Sequence, residues 1–175
     1  MARDFLIIDG SNFYHFAKSL LAGTGLFGFH YRKFVRLLGC SDGTLIEYCI
    51  GEVQYEKGSE RSLEMFSFQQ KLFAKLASQK VTVKTGIMLK SGKIYHEKGV
   101  DVRIAIDIVK GALRNEFDRC FLVSSDSDLL PAVLEVKLAG KQIIYVQIGK
   151  CGSIALATNC SRRMVVSREL LQKCL

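Results

Sequence analysis

The sequence predicts an α/β fold, with a central, mainly parallel β-sheet covered by helices on both faces. Short, nearly continuous apolar runs, typical of buried parallel strands, alternate with longer segments whose apolar residues recur at helical spacing. The chain has 175 residues, of which 49% are hydrophobic and 24% charged, so it can bury one sizeable core. We therefore predict a single three-layer α/β/α sandwich domain over residues 1–175.

Each predicted strand is an apolar run bounded by polar residues or glycine, and these runs cover Asp4–Asp9, Leu45–Ile50, Val81–Leu89, Arg119–Val123, Lys141–Ile148 and Met164–Val166. The segments between them predict helices over Asn12–Leu21, Tyr31–Leu38, Ser59–Ser78, Val100–Leu113 and Leu129–Ala139, with a short one near Ile154. Strands that alternate with helices favour parallel pairing.

The net charge and the cysteine pattern limit the partner and the cellular setting that we expect for this protein. The formal net charge of +8 favours a polyanionic partner, with nucleic acid the leading candidate. The six cysteines form no C-x-x-C pair, and several fall inside apolar runs, so we expect free thiols and a reducing, cytoplasmic setting. The N-terminal apolar run, Phe5–Ile8, is too short for a signal peptide, and no stretch approaches a membrane span.

The first and fourth predicted strands end in the same way, with aspartates among small polar residues. Asp9 begins the segment Asp9–Asn12, and Asp126 and Asp128 lie in the segment Ser124–Asp128. Because parallel strands present their carboxyl ends at one edge of the sheet, these aspartates are expected to share a site there. Helix capping is the alternative for each of them, since Asp and Ser are favoured N-caps.

A further aspartate lies at the start of the helix predicted over 100–113. At about 100° per residue, Asp101 falls on the same face as Ile104 and Ile108, which predicts a buried carboxylate that a metal would satisfy. A favourable interaction with the helix N-terminus is the alternative. Asp107 falls on the polar face beside Arg103 and is expected to form an exposed ion pair of little energetic weight.

The segment 90–99 is basic and follows the third predicted strand. We predict a flexible loop whose lysines, Lys90, Lys93 and Lys98, contact phosphates. A solvent-exposed hairpin is an equally weighted alternative. Arg32 and Lys33 are weaker candidates for the same role.

The ordered segments Ile8–Asn12, Lys98–Val102 and Ser124–Pro131 resemble the NYN domain, in the LabA-like branch of the PIN-like nuclease superfamily. The resemblance implies a PIN-like α/β/α sandwich and metal-dependent ribonuclease chemistry. It also implies that the acidic residues of the family correspond to Asp9, Asp101, Asp126 and Asp128, with Asn12 beside them and Asp107 more peripheral. The chain departs from the usual family pattern at Ser125, at Leu129 and at the basic pair Arg162–Arg163.

The resemblance further implies hydrolysis of RNA phosphodiester bonds, with RNA favoured over DNA. The four aspartates would hold Mg²⁺ or Mn²⁺, since converging carboxylates repel by about 4 kcal/mol per close pair at an effective dielectric of roughly 20. Asn12 would orient a carboxylate or a phosphate, and Ser11 and Ser125 would contact the substrate. The rival interpretation is a weak or inactive module that binds RNA or a protein partner in a regulatory complex. The partner hypotheses besides RNA are a second copy of the chain and a regulatory protein.

Overall fold

The computed structural model describes residues 2–23, 25–55, 57–91, 94–150 and 152–175. Its strands are β1 (Asp4–Asp9), β2 (Leu45–Glu52), β3 (Thr82–Ser91), β4 (Ile94–Lys98), β5 (Arg119–Val123), β6 (Gln142–Ile148) and β7 (Arg162–Val166). Its helices are α1 (Gly10–Leu20), α2 (Tyr31–Leu37), α3 (Glu60–Ser78), α4 (Val100–Leu113), α5 (Leu130–Leu138), α6 (Ile154–Asn159) and α7 (Arg168–Lys173), and a 3₁₀ turn (Ser127–Leu129) precedes α5.

The described strands join one sheet in the spatial order β4-β3-β2-β1-β5-β6-β7. Every neighbouring pair is parallel except β3 and β4. The central strand β1 is buried along its whole length, which explains why its residues are apolar on both faces. The predicted mainly parallel sheet is confirmed.

Alternate residues of β1 point into two separate cores. Leu6 and Ile8 join the core formed with α1, α2, α3 and α7. Phe5 and Ile7 join the opposite core, formed with α4, α5 and α6. The sheet is therefore covered by helices on both faces, as the sequence pattern predicted.

The segment between β3 and α4 is a hairpin, so of the two equally weighted interpretations the hairpin is confirmed and the flexible loop is wrong. β4 pairs antiparallel with β3, with Glu97 opposite Met88 and Lys98 opposite Ile87. The loop interpretation failed because β3 runs on to Ser91, past the predicted strand end at Leu89, and Ile87 and Leu89 are more than half exposed where β3 pairs with the edge strand β4. Gly99 then starts α4 with a φ of 80°, a left-handed conformation that favours glycine.

The cysteines of the described chain behave as expected for small apolar side chains. Cys40, Cys49, Cys120, Cys160 and Cys174 are free. Burial raises the pKa of the Cys40 thiol to about 12. Among the described residues, no helix combines the length and apolar character needed to cross a membrane.

Asp4 is the first residue of β1 and lies at the opposite edge of the sheet from Asp9 and Asp126. It joins β1 to β5 and to the loop before β2. Its buried carboxylate accepts hydrogen bonds from Nε and Nη2 of Arg119, both at 2.6 Å, and from the backbone N–H of Ser41 at 2.6 Å. Burial alone would raise the pKa of Asp4, but the bonds from Arg119 and Ser41 outweigh it and leave the pKa lowered. The carboxylate therefore stabilises the fold above about pH 4, and this contribution is lost as the pH falls through the lowered pKa.

We predict that Asp4→Asn lowers the free energy of unfolding at neutral pH by about 2 kcal/mol, the typical loss for hydrogen bonds to a charged group. Urea unfolding at neutral and acidic pH measures this loss, which should shrink as the pH falls. Asp118→Asn is the control, because Asp118 forms an exposed, solvent-screened ion pair with Arg3 and should lower stability less than Asp4→Asn does. Equal losses in the two variants would contradict the role assigned to Asp4.

Candidate acidic site at the carboxyl edge of the sheet

Two adjacent parallel strands deliver aspartates to the same edge of the sheet. Asp9 is the last residue of β1, and Asp126 follows the end of β5 by three positions. Ile8 and Val123 are paired in register, so the two strand ends lie side by side. Asp101 lies in the first turn of α4, which begins directly after β4. The topology thus brings residues far apart in sequence to one edge.

Asp9 forms the buried base of this site. Its Oδ1 accepts the backbone N–H of Asn12 at 3.0 Å, which caps α1, and its Oδ2 accepts Nδ2 of Asn12 at 3.0 Å and the hydroxyl of Ser124 at 2.9 Å. The capping alternative is therefore observed for Asp9. Burial, together with the charge of Glu97, raises the pKa of Asp9 despite these hydrogen bonds. The carboxylate is held in one orientation in a place that disfavours its charge.

Asp126 and Asp128 lie in the tight turn that follows β5. Oδ1 of Asp126 accepts the backbone N–H of Asp128 at 2.9 Å and so caps the 3₁₀ turn. The hydroxyl of Ser124 accepts the backbone N–H of Asp126 at 3.1 Å, and it also donates to Asp9. One serine therefore links the two strand ends, with Asp126 half-buried above it and Asp128 exposed at the rim.

The middle of the same turn is fixed by Asn12 and Tyr145. Oδ1 of Asn12 accepts the backbone N–H of Ser125 at 3.2 Å. The Ser125 hydroxyl lies 3.1 Å from the hydroxyl of Tyr145, which in turn accepts the backbone N–H of Ser153. These contacts tie the turn to α1 on one side and to the start of α6 on the other, so its shape is set by its neighbours.

Asp101 is exposed, so the prediction of a buried, sheet-facing carboxylate is wrong. The buried face of α4 is centred nearer Ile104 and Gly111, where Gly111 leaves room for Phe117, and the first turn of the helix lies at the edge of the sheet. The electrostatic grouping is nevertheless present. Burial of part of the group, and then the charges of Asp126, Asp9 and Asp128, raise the pKa of Asp101.

The donor set fits a hard divalent cation, although the described residues form no ready-made cage. No group of three Asp, Glu, His or Cys side chains in the described chain has the geometry of a metal site. The ligand chemistry is nonetheless that of Mg²⁺ or Mn²⁺, which prefer carboxylate oxygens. Among the described residues, the charges that raise the pKa of Asp101 are those of Asp126, Asp9 and Asp128.

Glu97 is a residue of this site that sequence reasoning missed. Its Oε2 accepts the hydroxyl of Ser11 at 3.0 Å and the backbone N–H of Gly51 at 2.5 Å, and its charge acts on Asp9. A loop over 90–99 would have given it no fixed position. Once the hairpin is known, the adjacency of Glu97 to the start of α4 is the signal that identifies it.

Several other predicted residues lie elsewhere or are not described. Asp107 is half-buried and lines a cavity of about 90 Å³ with Glu47 and Lys84. Its buried Oδ2 has no hydrogen-bond partner among the described residues, so the predicted exposed pair with Arg103 is wrong. Arg32 is not free for phosphate, because its guanidinium donates to the carbonyl groups of Thr44, Gln79 and Lys80.

The structure describes the side chain of only one of the three lysines predicted to contact substrate. Lys98 ends β4 and is exposed beside Gly99, next to the first turn of α4. Lys93 lies outside the described residues, as does the side chain of Lys90. The structure therefore bears on Lys98 alone among the three.

Comparison with known proteins places the chain in a family. The NYN domain family matches residues 5–167, so the chain belongs to this family, within the PIN-like nuclease superfamily. The fold is similar to the crystal structure of a protein of unknown function from Vibrio parahaemolyticus, with a TM-score of 0.65 and 16% identity over 95% of this chain and 93% of that one. A search of curated proteins gave no significant match. The NYN resemblance of the sequence motifs is confirmed.

We predict that millimolar Mg²⁺ or Mn²⁺ raises the melting temperature of the protein, because a cation bound to the folded state relieves the repulsion at Asp101. At a metal concentration a hundred times the Kd the gain is about 2.7 kcal/mol, or roughly 5–10 °C for a chain of this size. Asp101→Asn should raise the metal-free melting temperature slightly and reduce the response to metal. Asp42→Asn, at a surface position 95% exposed, is the matched control. An unchanged melting temperature in the parent protein would contradict the metal assignment.

Proposed function

We propose that this chain is a metal-dependent endoribonuclease that hydrolyses phosphodiester bonds of single-stranded RNA. The observation that carries the proposal is the placement of aspartates at one edge of the sheet: the ends of β1 and β5 pair in register, Ser124 bonds both Asp9 and the backbone of Asp126, and Asp128 and the first turn of α4 with Asp101 lie at the same edge. Gathered carboxylates suit a site that receives a cation together with a phosphate. Membership of a nuclease superfamily supports the same chemistry.

Under this proposal, Mg²⁺ or Mn²⁺ would be held by Asp9 and Asp126, with Asp101 and Asp128 completing the site from the rim. The bound cation would supply Lewis-acid activation of water and charge stabilisation at the cleaved phosphate. Three hydrogen bonds fix Asp9, so it cannot turn away when the other carboxylates approach. Such a fixed inner carboxylate is what pre-organisation of a catalytic site requires.

The remaining residues would complete the cation site or position the substrate. Asp101 is exposed at the rim, where it would complete the cation site directly or through a bound water. Asn12 joins Asp9 to the turn at Ser125 and would keep both in place. Ser11, Ser125 and the lysines at 90, 93 and 98 are the proposed contacts to substrate phosphates.

The choice of RNA, the LabA-like branch and the cellular setting belong to the same proposal. The net charge of +8 supports a polyanion as substrate, and the NYN motifs support RNA over DNA. The five free cysteines of the described chain support a reducing, cytoplasmic environment.

We predict that Asp126→Asn lowers cleavage of single-stranded RNA by at least about 100-fold in the presence of Mn²⁺, since metal sites are sensitive even to changes outside the direct ligands. Fluorescent oligonucleotide cleavage, with RNA and DNA of one sequence, measures the loss. Asp42→Asn removes the same charge at an exposed surface position and should keep the parent rate. Equal rates in the two variants, or a parent without metal-dependent cleavage, would contradict the proposal.

A second candidate function is a module that binds a second copy of the chain. A cavity of about 670 Å³ lies between α4 and α5, and its apolar lining includes Ile106 and Leu113, which are 53% and 72% exposed. Lys110 and Arg114 flank the α4 side, and Glu135 flanks the α5 side. A two-fold axis through this groove would place the basic side of each copy against the acidic side of the other, which favours a homodimer.

We predict that Leu113→Glu shifts the protein from dimer to monomer, because it places a charge in the apolar groove. Sedimentation velocity over a range of protein concentrations measures the change. Leu45→Glu, at an exposed apolar position outside the groove, is the control and should not alter association. A parent that sediments as a monomer at all concentrations would remove this candidate.

A further inference from the structure

A pocket of about 260 Å³ lies between α1 and α3, directly beside the acidic site. Gly10 and Ser11 form one wall, and these two residues immediately follow Asp9 in the chain. Tyr48 lies at its base, where its hydroxyl donates to the carbonyl oxygen of Gly10. The pocket and the carboxylates therefore share a wall, and a ligand that binds in one is close to the other.

The opening of this pocket carries exposed aromatic rings. Tyr14 on α1 is 41% exposed and Phe68 on α3 is 55% exposed, and both line the pocket. Phe27 lies next to Phe68, with ring centroids 6.4 Å apart, and is itself 51% exposed. Large aromatic surfaces left in water at a pocket mouth indicate a binding site rather than core packing.

Lysines accompany these rings. The ammonium of Lys18 lies 5.4 Å from the centroid of the Tyr14 ring, and that of Lys75 lies 5.0 Å from the centroid of the Phe27 ring. The patch thus interleaves flat aromatic surfaces with positive charges. Sites for single-stranded nucleic acid combine the same two features, because bases stack on the rings while cations follow the backbone.

We propose that this pocket holds an unpaired base of a single-stranded RNA whose neighbouring phosphate lies at the acidic site. The identity of the ligand rests on the proposed nuclease function. A base in this pocket must leave its duplex or stacked neighbours, so the inference makes single-stranded segments the substrate class. Phe68 is the stacking surface, Tyr14 closes the opposite side, and Lys18 and Lys75 contact the flanking phosphates.

Recognition in this pocket is by stacking rather than by the edge of the base. The amide of Gln69 lines the pocket but is committed at both ends, since its Oε1 accepts the backbone N–H of Val53 at 2.8 Å and its Nε2 donates to the carbonyl oxygen of Gly51 at 2.7 Å. The base preference at this position is therefore expected to be weak, as is usual for aromatic stacking platforms.

The test measures binding without cleavage, in an Asp126→Asn background. A single-stranded RNA with one 2-aminopurine in each successive position is titrated with protein, and its fluorescence should be quenched at one position near the cleavage site. Adding Phe68→Ala should remove that quenching and weaken binding by roughly 5- to 100-fold. Leu138→Ala, at an apolar helix position that is 79% exposed and outside the pocket, is the control and should change neither signal.

A double-mutant cycle isolates the stacking contact by combining Phe68→Ala in the protein with an abasic site in the RNA at the quenched position. The abasic RNA should bind Asp126→Asn equally well with and without the added Phe68→Ala, because the ring then has no base to stack on. Equal binding of intact RNA to Phe68→Ala and Leu138→Ala would overturn the inference, as would a parent that binds no single-stranded RNA. If Phe68→Ala instead breaks self-association of the protein and leaves RNA binding unchanged, the pocket is occupied by a second copy and the inference is also overturned.

The same measurements separate this inference from the proposed function. Metal-dependent cleavage by the parent, with no effect of Phe68→Ala on binding, would leave the nuclease intact and remove the base pocket. Position-specific quenching that depends on Phe68, in a parent without cleavage, would keep the pocket and remove the nuclease.

Discussion

Repulsion between aspartates at the carboxyl edge of the sheet is the interaction on which the site depends. Parallel pairing of β1 with β5 fixes Asp9 and the turn bearing Asp126 side by side, and the start of α4 brings Asp101 to the same edge. The register cannot shift to relieve this repulsion without unpairing the central strands. Under the proposed function, a hard divalent cation bound among these carboxylates would offset their repulsion.

The site divides into a rigid inner part and an exposed rim. Asp9 is fixed by Asn12 and Ser124, and Ser124 also supports Asp126, so the inner carboxylates are held before any ligand arrives. Asp101 and Asp128 are exposed at the rim. This division reconciles two observations, namely the mutual charge effects among the aspartates and the lack of a ready-made cage among the described residues.

Much of the fold was predictable because apolar runs and helical spacing are local signals. The strand Arg119–Val123 and the helix Val100–Leu113 have the predicted bounds, and α3 ends at the predicted Ser78. The sequence left a loop and a hairpin equally weighted between β3 and α4, because an edge strand such as β4 needs one partner and no buried face. For the same reason Glu97 was missed, and the burial of Asp101 was overestimated because a helical wheel does not show where the sheet ends.

The most direct test of the central claim is anomalous diffraction from crystals soaked in millimolar Mn²⁺. The account predicts one strong peak at the carboxyl edge, within about 2.3 Å of carboxylate oxygens of both Asp9 and Asp126, with Asp101 drawn toward it. Crystals of Asp126→Asn treated in the same way should lose or weaken the peak. A fully soaked parent crystal with no peak at this edge, or with Mn²⁺ bound only at other carboxylates, would contradict the claim that the clustered aspartates are a metal site.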